Sequence, residues 1–258
     1  MSLAQNVDKL FFGKNAVLRD EYHRLFASVF VNPDMVKNIV QLLYTRNAGF
    51  TRKEIVEKLE ITDGGRLSSN LNALISSDFI MKYVPFGYGK REEHYKLVDP
   101  FCIFYLHFIW KQKKISEKFW QQNTTSAPVS IWRGFAFENV CFNHIEQIKR
   151  SLGISGVITE TSAWSKKEDD TEGAQIDLLI CRNDNVINMC EIKYYSGEFR
   201  VTKSYYEKIL RRQAILAERI SPKFAIHSTL ITTFGLNYNE YSSAFSNVIV
   251  LDDLFDNV

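Results

Sequence analysis

What this sequence lacks narrows its class before any motif is read. Its four cysteines, Cys102, Cys141, Cys181 and Cys190, show no CxxC spacing, so they read as reduced core thiols of a cytoplasmic protein. Its five histidines, His23, His94, His107, His144 and His227, are scattered without metal-ligand spacing. No signal peptide is visible, and the longest apolar run, Phe101 to Trp110, is too short to span a bilayer and contains His107. No membrane partner is expected. Neither an internal repeat nor a sustained heptad pattern is present. Charge of one sign is also missing, since the net charge is only +2 over 258 residues. The balance is uneven, however: residues 1–125 carry 18 Lys+Arg against 13 Asp+Glu, and residues 126–258 carry 14 against 17. A mildly basic half beside a mildly acidic one suits a nucleic-acid-binding module joined to a carboxylate-bearing site.

What is present is 45% hydrophobic and 14% aromatic, enough for one large domain or two ordinary ones and too much for a disordered chain. Residues 1–32 read as an N-terminal helical segment, with Leu18, Tyr22, Leu25, Phe26 and Val29 on one face of a helix over 16–30. Pro33-Asp34 opens a second helix. Thr51-Arg52-Lys53-Glu54 has capping-box spacing and starts a third. After the turn Thr62-Asp63-Gly64-Gly65, Leu67, Leu71, Leu74 and Ile75 mark a fourth helix. Two extended runs, 79–84 and 92–98, then flank a Gly-rich turn. Helices followed by a hairpin in this order predict a winged helix-turn-helix domain over 33–110. The polar stretch 111–130 reads as a linker, although Phe119 and Trp120 predict that part of it docks.

Residues 131–258 change pattern. A helix over about 131–150 leads to strands near 156–162, 174–182 and 186–194, a helix over 201–219, and strands through 224–233 and 248–251. The order is αβββαβ with an extension. Arg182-Asn183-Asp184-Asn185 reads as the turn of a hairpin. If that hairpin is symmetric about Asp184, Asp177 stands opposite Glu191 with Cβ atoms about 5 Å apart, close enough to share one cation. Alternation puts Lys193 on the same face. Both carboxylates lie within apolar runs, Ile176 to Ile180 and Ile187 to Ile192, and two buried like charges are unfavourable unless a cation or hydrogen bonds offset them. Oxygen ligands suit Mg²⁺ (or Mn²⁺), which would activate a water and stabilise charge on a phosphate. Glu138 interrupts the stripe Gly134, Cys141, Ile145 and Ile148. It is either a further ligand or a structural carboxylate that caps a loop or pairs with Arg133.

Glu138 on the first helix, then Ile-Asp177-Leu-Leu, then Cys-Glu191-Ile-Lys193-Tyr, resembles the PD-(D/E)XK nuclease superfamily. The resemblance implies an α/β, restriction-endonuclease-like αβββαβ domain. It also implies Glu138, Asp177, Glu191 and Lys193 as catalytic residues, with the three carboxylates as metal ligands. Gln213 matches the polar residue that some members place near the site, and the segment from Ser162 to Gly173 would be a loop beside it. The whole chain, with Tyr95-Lys-Leu-Val-Asp-Pro-Phe-Cys-Ile-Phe-Tyr and Arg133-Gly-Phe-Ala-Phe-Glu138, resembles the C-terminal region of archaeal-type AAA ATPases. No G-x-x-x-x-G-K-[ST] is present, so the ATPase domain of that family is missing here, and the chain is expected to be a fragment of a longer protein. Candidate DNA contacts are Arg52, Lys53, Arg66, Asn70, Lys90 and Arg91. The leading expectation is a metal-dependent DNA nuclease coupled to a DNA-binding winged helix, with RNA not excluded. The alternative is a non-catalytic region of an ATPase, with a degenerate nuclease fold that binds DNA or protein.

Overall fold

The structure, a computed structural model, describes residues 1–112, 116–166 and 174–255. It is mixed α/β and divides into two units: Met1–Lys82 with Glu93–Ala136, and Tyr83–Glu92 with Phe137–Val258.

The first unit begins with α1 (Leu3–Val7), which runs into a wider turn over Asp8–Phe12, then α2 (Glu21–Val29) and α3 (Pro33–Tyr44). A short strand β1 (Phe50–Thr51) leads directly into α4 (Arg52–Leu59). The capping box forms as expected: the Glu54 N–H donates to Thr51 Oγ1 at 3.3 Å, and the Thr51 N–H donates to Glu54 Oε2 at 2.8 Å. Then come α5 (Gly65–Ser76), β2 (Ile80–Tyr83), β3 (His94–Leu97), α6 (Pro100–Phe108), α7 (Phe119–Asn123) and α8 (Ala127–Asn143). The three strands form a sheet in the order β1-β3-β2. Gly49 makes the entry to β1 possible: its φ is +73°, and a Cβ there would lie 2.0 Å from the Tyr95 carbonyl oxygen. Tyr22, Phe26, Ile39, Val40, Leu43, Ile55, Leu71 and Leu74 form the buried core.

The stretch expected as a linker over 111–130 contributes instead to this core. Trp120 and Val129 are buried. Asp8, itself buried, accepts the Trp120 N–H at 2.7 Å and the Gln121 N–H at 3.1 Å, which caps α7 from the far end of the chain. The boundary between units falls inside α8, because Trp132 packs against Phe104, Phe108 and Trp120 while Phe137 and Cys141 belong to the second core.

In the second unit α8 ends at Asn143 and α9 (Ile145–Ser151) follows, so the helix expected over 131–150 is broken at His144. The central sheet is built from β4 (Thr159–Lys166), β5 (Ala174–Arg182) and β6 (Val186–Lys193). After a short β7 (Phe199–Arg200) and α10 (Lys203–Ala217) come β8 (Ala225–Thr232), β9 (Leu236–Asn237) and β10 (Asn247–Val250). Its order is β10-β8-β6-β5-β4, antiparallel across β4-β5-β6 and parallel across β6-β8-β10. A parallel neighbour requires a crossover, and α10 supplies it between β6 and β8. β4 extends to Lys166, beyond the expected strand end. The rest of the expected loop, 167–173, lies outside the described residues. The sheet carries two cores, one on each face. Leu179, Ile187, Met189 and Leu230 pack with Ile209 and Leu216 of α10. Leu178, Ile180, Cys190, Ile192, Ile231 and Ile249 pack with Phe137, Cys141 and Ile148. Among the described residues, no helix is long and apolar enough to cross a membrane.

Candidate active site

The site is built on the antiparallel pair β5 and β6. Leu178 pairs with Cys190, Leu179 with Met189, Ile180 with Asn188 and Cys181 with Ile187. This is the register of a turn centred on Asp184. It runs as far as Leu178 and Cys190; beyond it the pairing of β5 with β4 shifts by one residue between Leu179 and Ile176, so Asp177 lies in an irregular stretch of β5 that the expected strict alternation did not include. Arg182 and Asp184 form an ion pair across the turn, and Asn185 takes the left-handed conformation, φ +64°, that such a turn needs. Asp177 Oδ2 accepts the Ile192 N–H at 3.1 Å, so the carboxylate is tied to the neighbouring strand.

Lys193 ends β6 on the face that alternation predicts. Its Nζ lies 2.7 Å from Glu191 Oε1, 3.1 Å from the Ile192 carbonyl oxygen and 3.6 Å from Asp177 Oδ2. An ammonium therefore sits among three oxygens drawn from two strands. The carboxylates are sealed while the lysine is not: the Glu191 and Asp177 side chains are 4% and 8% exposed, and that of Lys193 is 34% exposed.

Helix α10 supplies two residues that the sequence reading passed over. The Tyr205 hydroxyl donates to Glu191 Oε1 at 2.6 Å, and Arg212 Nη1 donates to Oε2. Both oxygens of Glu191 are thus occupied. Tyr205, Ile209, Arg212 and Leu216 follow one helical stripe, and Ile209 and Leu216 are fully buried. An arginine on an otherwise apolar stripe was the available signal. Gln213 takes a different direction from the one expected: its Nε2 donates to the Ile226 carbonyl at 3.4 Å. It lines a groove of about 410 Å³ with Leu210, Ala214, Ala217, Phe224 and Ile226, because one residue further along a helix turns the side chain by about 100°.

Strand β8 adds a second missed feature. Thr232 pairs with Lys193 in parallel register, which sets its side chain on the same sheet face. Its hydroxyl is buried without a hydrogen-bond partner, as is that of Ser228, which pairs with Met189. Unsatisfied buried hydroxyls are uncommon in native structures and call for an explanation.

Charge in this site is settled by proximity. Burial raises the Asp177 carboxyl above its ordinary value and the nearby Glu191 charge adds to the effect, against the pull of Lys193. Burial pushes Glu191 the same way, but Lys193 and Arg212 together outweigh it and hold Glu191 below the usual carboxylate range. For Lys193 burial acts to lower the ammonium, and the attraction of Glu191 and Asp177 prevails and raises it. The Tyr205 hydroxyl is raised by burial and then by Glu191, so it stays a donor. The site is two acids balanced by two bases.

Glu138 is half-buried on α8. After burial and Cys190, its charge and that of Asp177 both raise the Cys141 thiol. No three His, Cys, Asp or Glu side chains among the described residues gather to hold a metal ion.

The candidate DNA contacts are divided between the two units. Arg52 is held by Asp63 at 2.5 Å and by the Gly64 carbonyl at 3.1 Å. Arg66 donates to Asn32 at 2.8 Å. Lys53 is exposed beside Glu57. Asn70 shares the buried face of α5 with Leu67, Leu71 and Leu74. Lys90 and Arg91 are exposed, but they fall in the stretch 83–92 that belongs to the second unit. There the Phe86 N–H donates to the Ala163 carbonyl at 3.2 Å, and Ser162 donates to the Val84 carbonyl at 2.8 Å.

Comparison of the chain with family models, with curated proteins and with solved structures finds no match.

Proposed function

We propose that the second unit is a PD-(D/E)XK-type nuclease domain that hydrolyses phosphodiester bonds of DNA with Mg²⁺ or Mn²⁺. The observation that carries this reading is the cradle of three oxygens around Lys193 Nζ. Two carboxylates and a backbone carbonyl converge on one positive charge, and hard oxygen donors of this kind suit Mg²⁺. The donor set fits a divalent ion once Lys193 leaves it, and Lys193 is the one member exposed enough to leave. Asp177, Glu191 and the Ile192 carbonyl would then hold the ion. When bound, it would supply Lewis acidity and a water of lowered pKa.

The chain's own residues divide the remaining work. Arg212 and Tyr205 fix the Glu191 carboxylate in one orientation, so it needs no reorganisation when a cation arrives. The Ile192 N–H does the same for Asp177. Lys193, at the carboxyl end of β6, would place its ammonium against a non-bridging phosphate oxygen, where negative charge develops. The carboxyl ends of parallel strands are where open α/β sheets bind ligands. The order of α8 and α9, antiparallel β4-β5-β6, crossover α10 and parallel β8 supports the same domain type. In the first unit, α3, β1, α4, α5, β2 and β3 with sheet order β1-β3-β2 support a winged helix. Together they support a likeness to the C-terminal region of archaeal-type AAA ATPases.

A second reading, a domain that keeps the fold without cleaving, is favoured by one observation. Both oxygens of Glu191 are taken and both carboxylates are sealed, so cleavage requires the Lys193 side chain to move. The deciding test is cleavage of single- and double-stranded DNA with Mg²⁺ or Mn²⁺ by wild type, Asp177→Ala and Lys193→Ala. Loss of cleavage in both variants with the fold retained is expected. A folded wild type that cleaves nothing with either metal supports the second reading.

A further inference from the structure

Beyond the charged site, exposed aromatic side chains gather at one edge of the second unit. Tyr195, Phe234 and Tyr238 are 51%, 60% and 78% exposed. They come from two short segments that directly follow β6 and β8. A ladder ties these segments together. The Tyr195 N–H donates to Thr233 Oγ1 at 3.1 Å, and Thr233 donates back to the Tyr195 carbonyl. The Phe199 N–H donates to the Gly235 carbonyl at 2.8 Å, and Phe199 and Arg200 pair with Leu236 and Asn237. Asn239 then donates to the Val201 carbonyl at 2.8 Å. The rings are thus carried on a braced edge and are not isolated on separate loops.

Exposed aromatic rings on a braced support lose little entropy on binding and offer flat apolar faces. Two exposed cations, Arg200 and Lys203, lie on the same segments. Residues 193–203 and 232–240 contain Lys193, Arg200 and Lys203 with two acids, Glu198, which is hydrogen-bonded to Asn237, and Glu240. Rings interleaved with cations match a polymer of bases joined by phosphates. Only an unpaired strand can use the rings, because bases in a duplex are already stacked on one another. Lys193 of the oxygen cradle stands two residues before Tyr195 in the chain.

We propose that this edge is a stacking platform for single-stranded DNA, with Tyr195, Phe234 and Tyr238 against successive bases and Lys193, Arg200 and Lys203 along the phosphates. This names the substrate class of the same site and rests on the nuclease reading only for what happens to the strand after it binds.

The test measures binding and cleavage separately. Anisotropy of a labelled short strand is followed in EDTA, for that strand alone and annealed to its complement. The proteins are wild type, a Tyr195→Leu/Phe234→Leu/Tyr238→Leu variant that keeps apolar bulk without ring faces, and Tyr88→Leu as a control at an exposed aromatic in the 83–92 stretch. The strand is expected to bind at least about tenfold tighter than the duplex, and the triple variant to lose about tenfold or more of that affinity. Tyr88→Leu is expected to bind as wild type. Equal affinity for strand and duplex, or an undiminished triple variant, overturns the platform. Because no metal is present, a failed cleavage assay with intact strand binding counts against the nuclease reading alone.

Discussion

The two faces of the central sheet are made from the same strands and differ in what they bury. On the face packed by α8 and α9, Leu178, Ile180, Cys190, Ile192, Ile231 and Ile249 are apolar and buried. On the face packed by α10, the alternate positions of β6 hold Glu191 and Lys193, with Thr232 beside them carrying an unpartnered hydroxyl, and Asp177 approaches Lys193 from the irregular stretch of β5. A sheet needs apolar contacts to cohere but has no structural need for three charges under a helix that adds a fourth, Arg212. Replacing such charges by apolar residues is often neutral or stabilising. The difference teaches that one face is selected for folding and the other for something that burial opposes.

That contrast can be broken in order of expected effect. Arg212→Met on the charged face removes one cation from Glu191 and leaves it under-compensated. A loss of about 3–5 kcal/mol is expected, as for a broken buried ion pair, read from urea unfolding. Leu178→Ala on the apolar face is expected to cost about 2–5 kcal/mol by leaving a cavity. It should leave cleavage per folded molecule unchanged, so a selective loss of cleavage would erase the distinction between faces.

Acid sensitivity sharpens the contrast. Glu191 is held below its ordinary value, so the stability it confers is complete above the unfolded carboxylate range, near pH 4.3, and is lost as pH falls through its folded value. Asp177 is shifted upward and has the opposite sign. Glu191→Gln is therefore expected to flatten the acid limb of the melting temperature against pH. Asp177→Asn should not flatten it, and an identical acid limb in wild type and Glu191→Gln would contradict the assigned pairing. The smallest effect is expected at Thr232→Val. Exchanging an unpaired buried hydroxyl for a methyl group should change stability by less than about 1 kcal/mol, in the stabilising direction. A clear destabilisation would reveal a hydrogen bond at Thr232.

Much of this was legible because period-two alternation and turn chemistry are local. The turn around Asp184 set the register as far as Leu178 and Cys190, and alternation along β6 set Lys193 on the same face as Glu191; the shift in β5 at Asp177 was not legible, because a bulge depends on the neighbouring strand β4. The capping box at Thr51 was read correctly for the same reason. What escaped was long-range. Arg212 and Tyr205 reach Glu191 from a helix whose packing direction depends on which face of the sheet it covers. The docking expected of Trp120 was read from its ring, but the whole stretch 111–130 still looked like a linker, because the Asp8 carboxylate that caps α7 lies more than a hundred residues away. Asn70 was offered to DNA on residue type alone, although its spacing from Leu67, Leu71 and Leu74 already placed it inward.

The most direct test of the account is divalent-ion binding at the oxygen cradle, followed by the electron paramagnetic resonance of Mn²⁺ titrated into wild type, Asp177→Asn and Leu178→Ala. The account predicts one Mn²⁺ site in wild type and Leu178→Ala that Asp177→Asn removes while its fold is retained. Mn²⁺ binding that survives Asp177→Asn unchanged, or no binding by folded wild type, would contradict it.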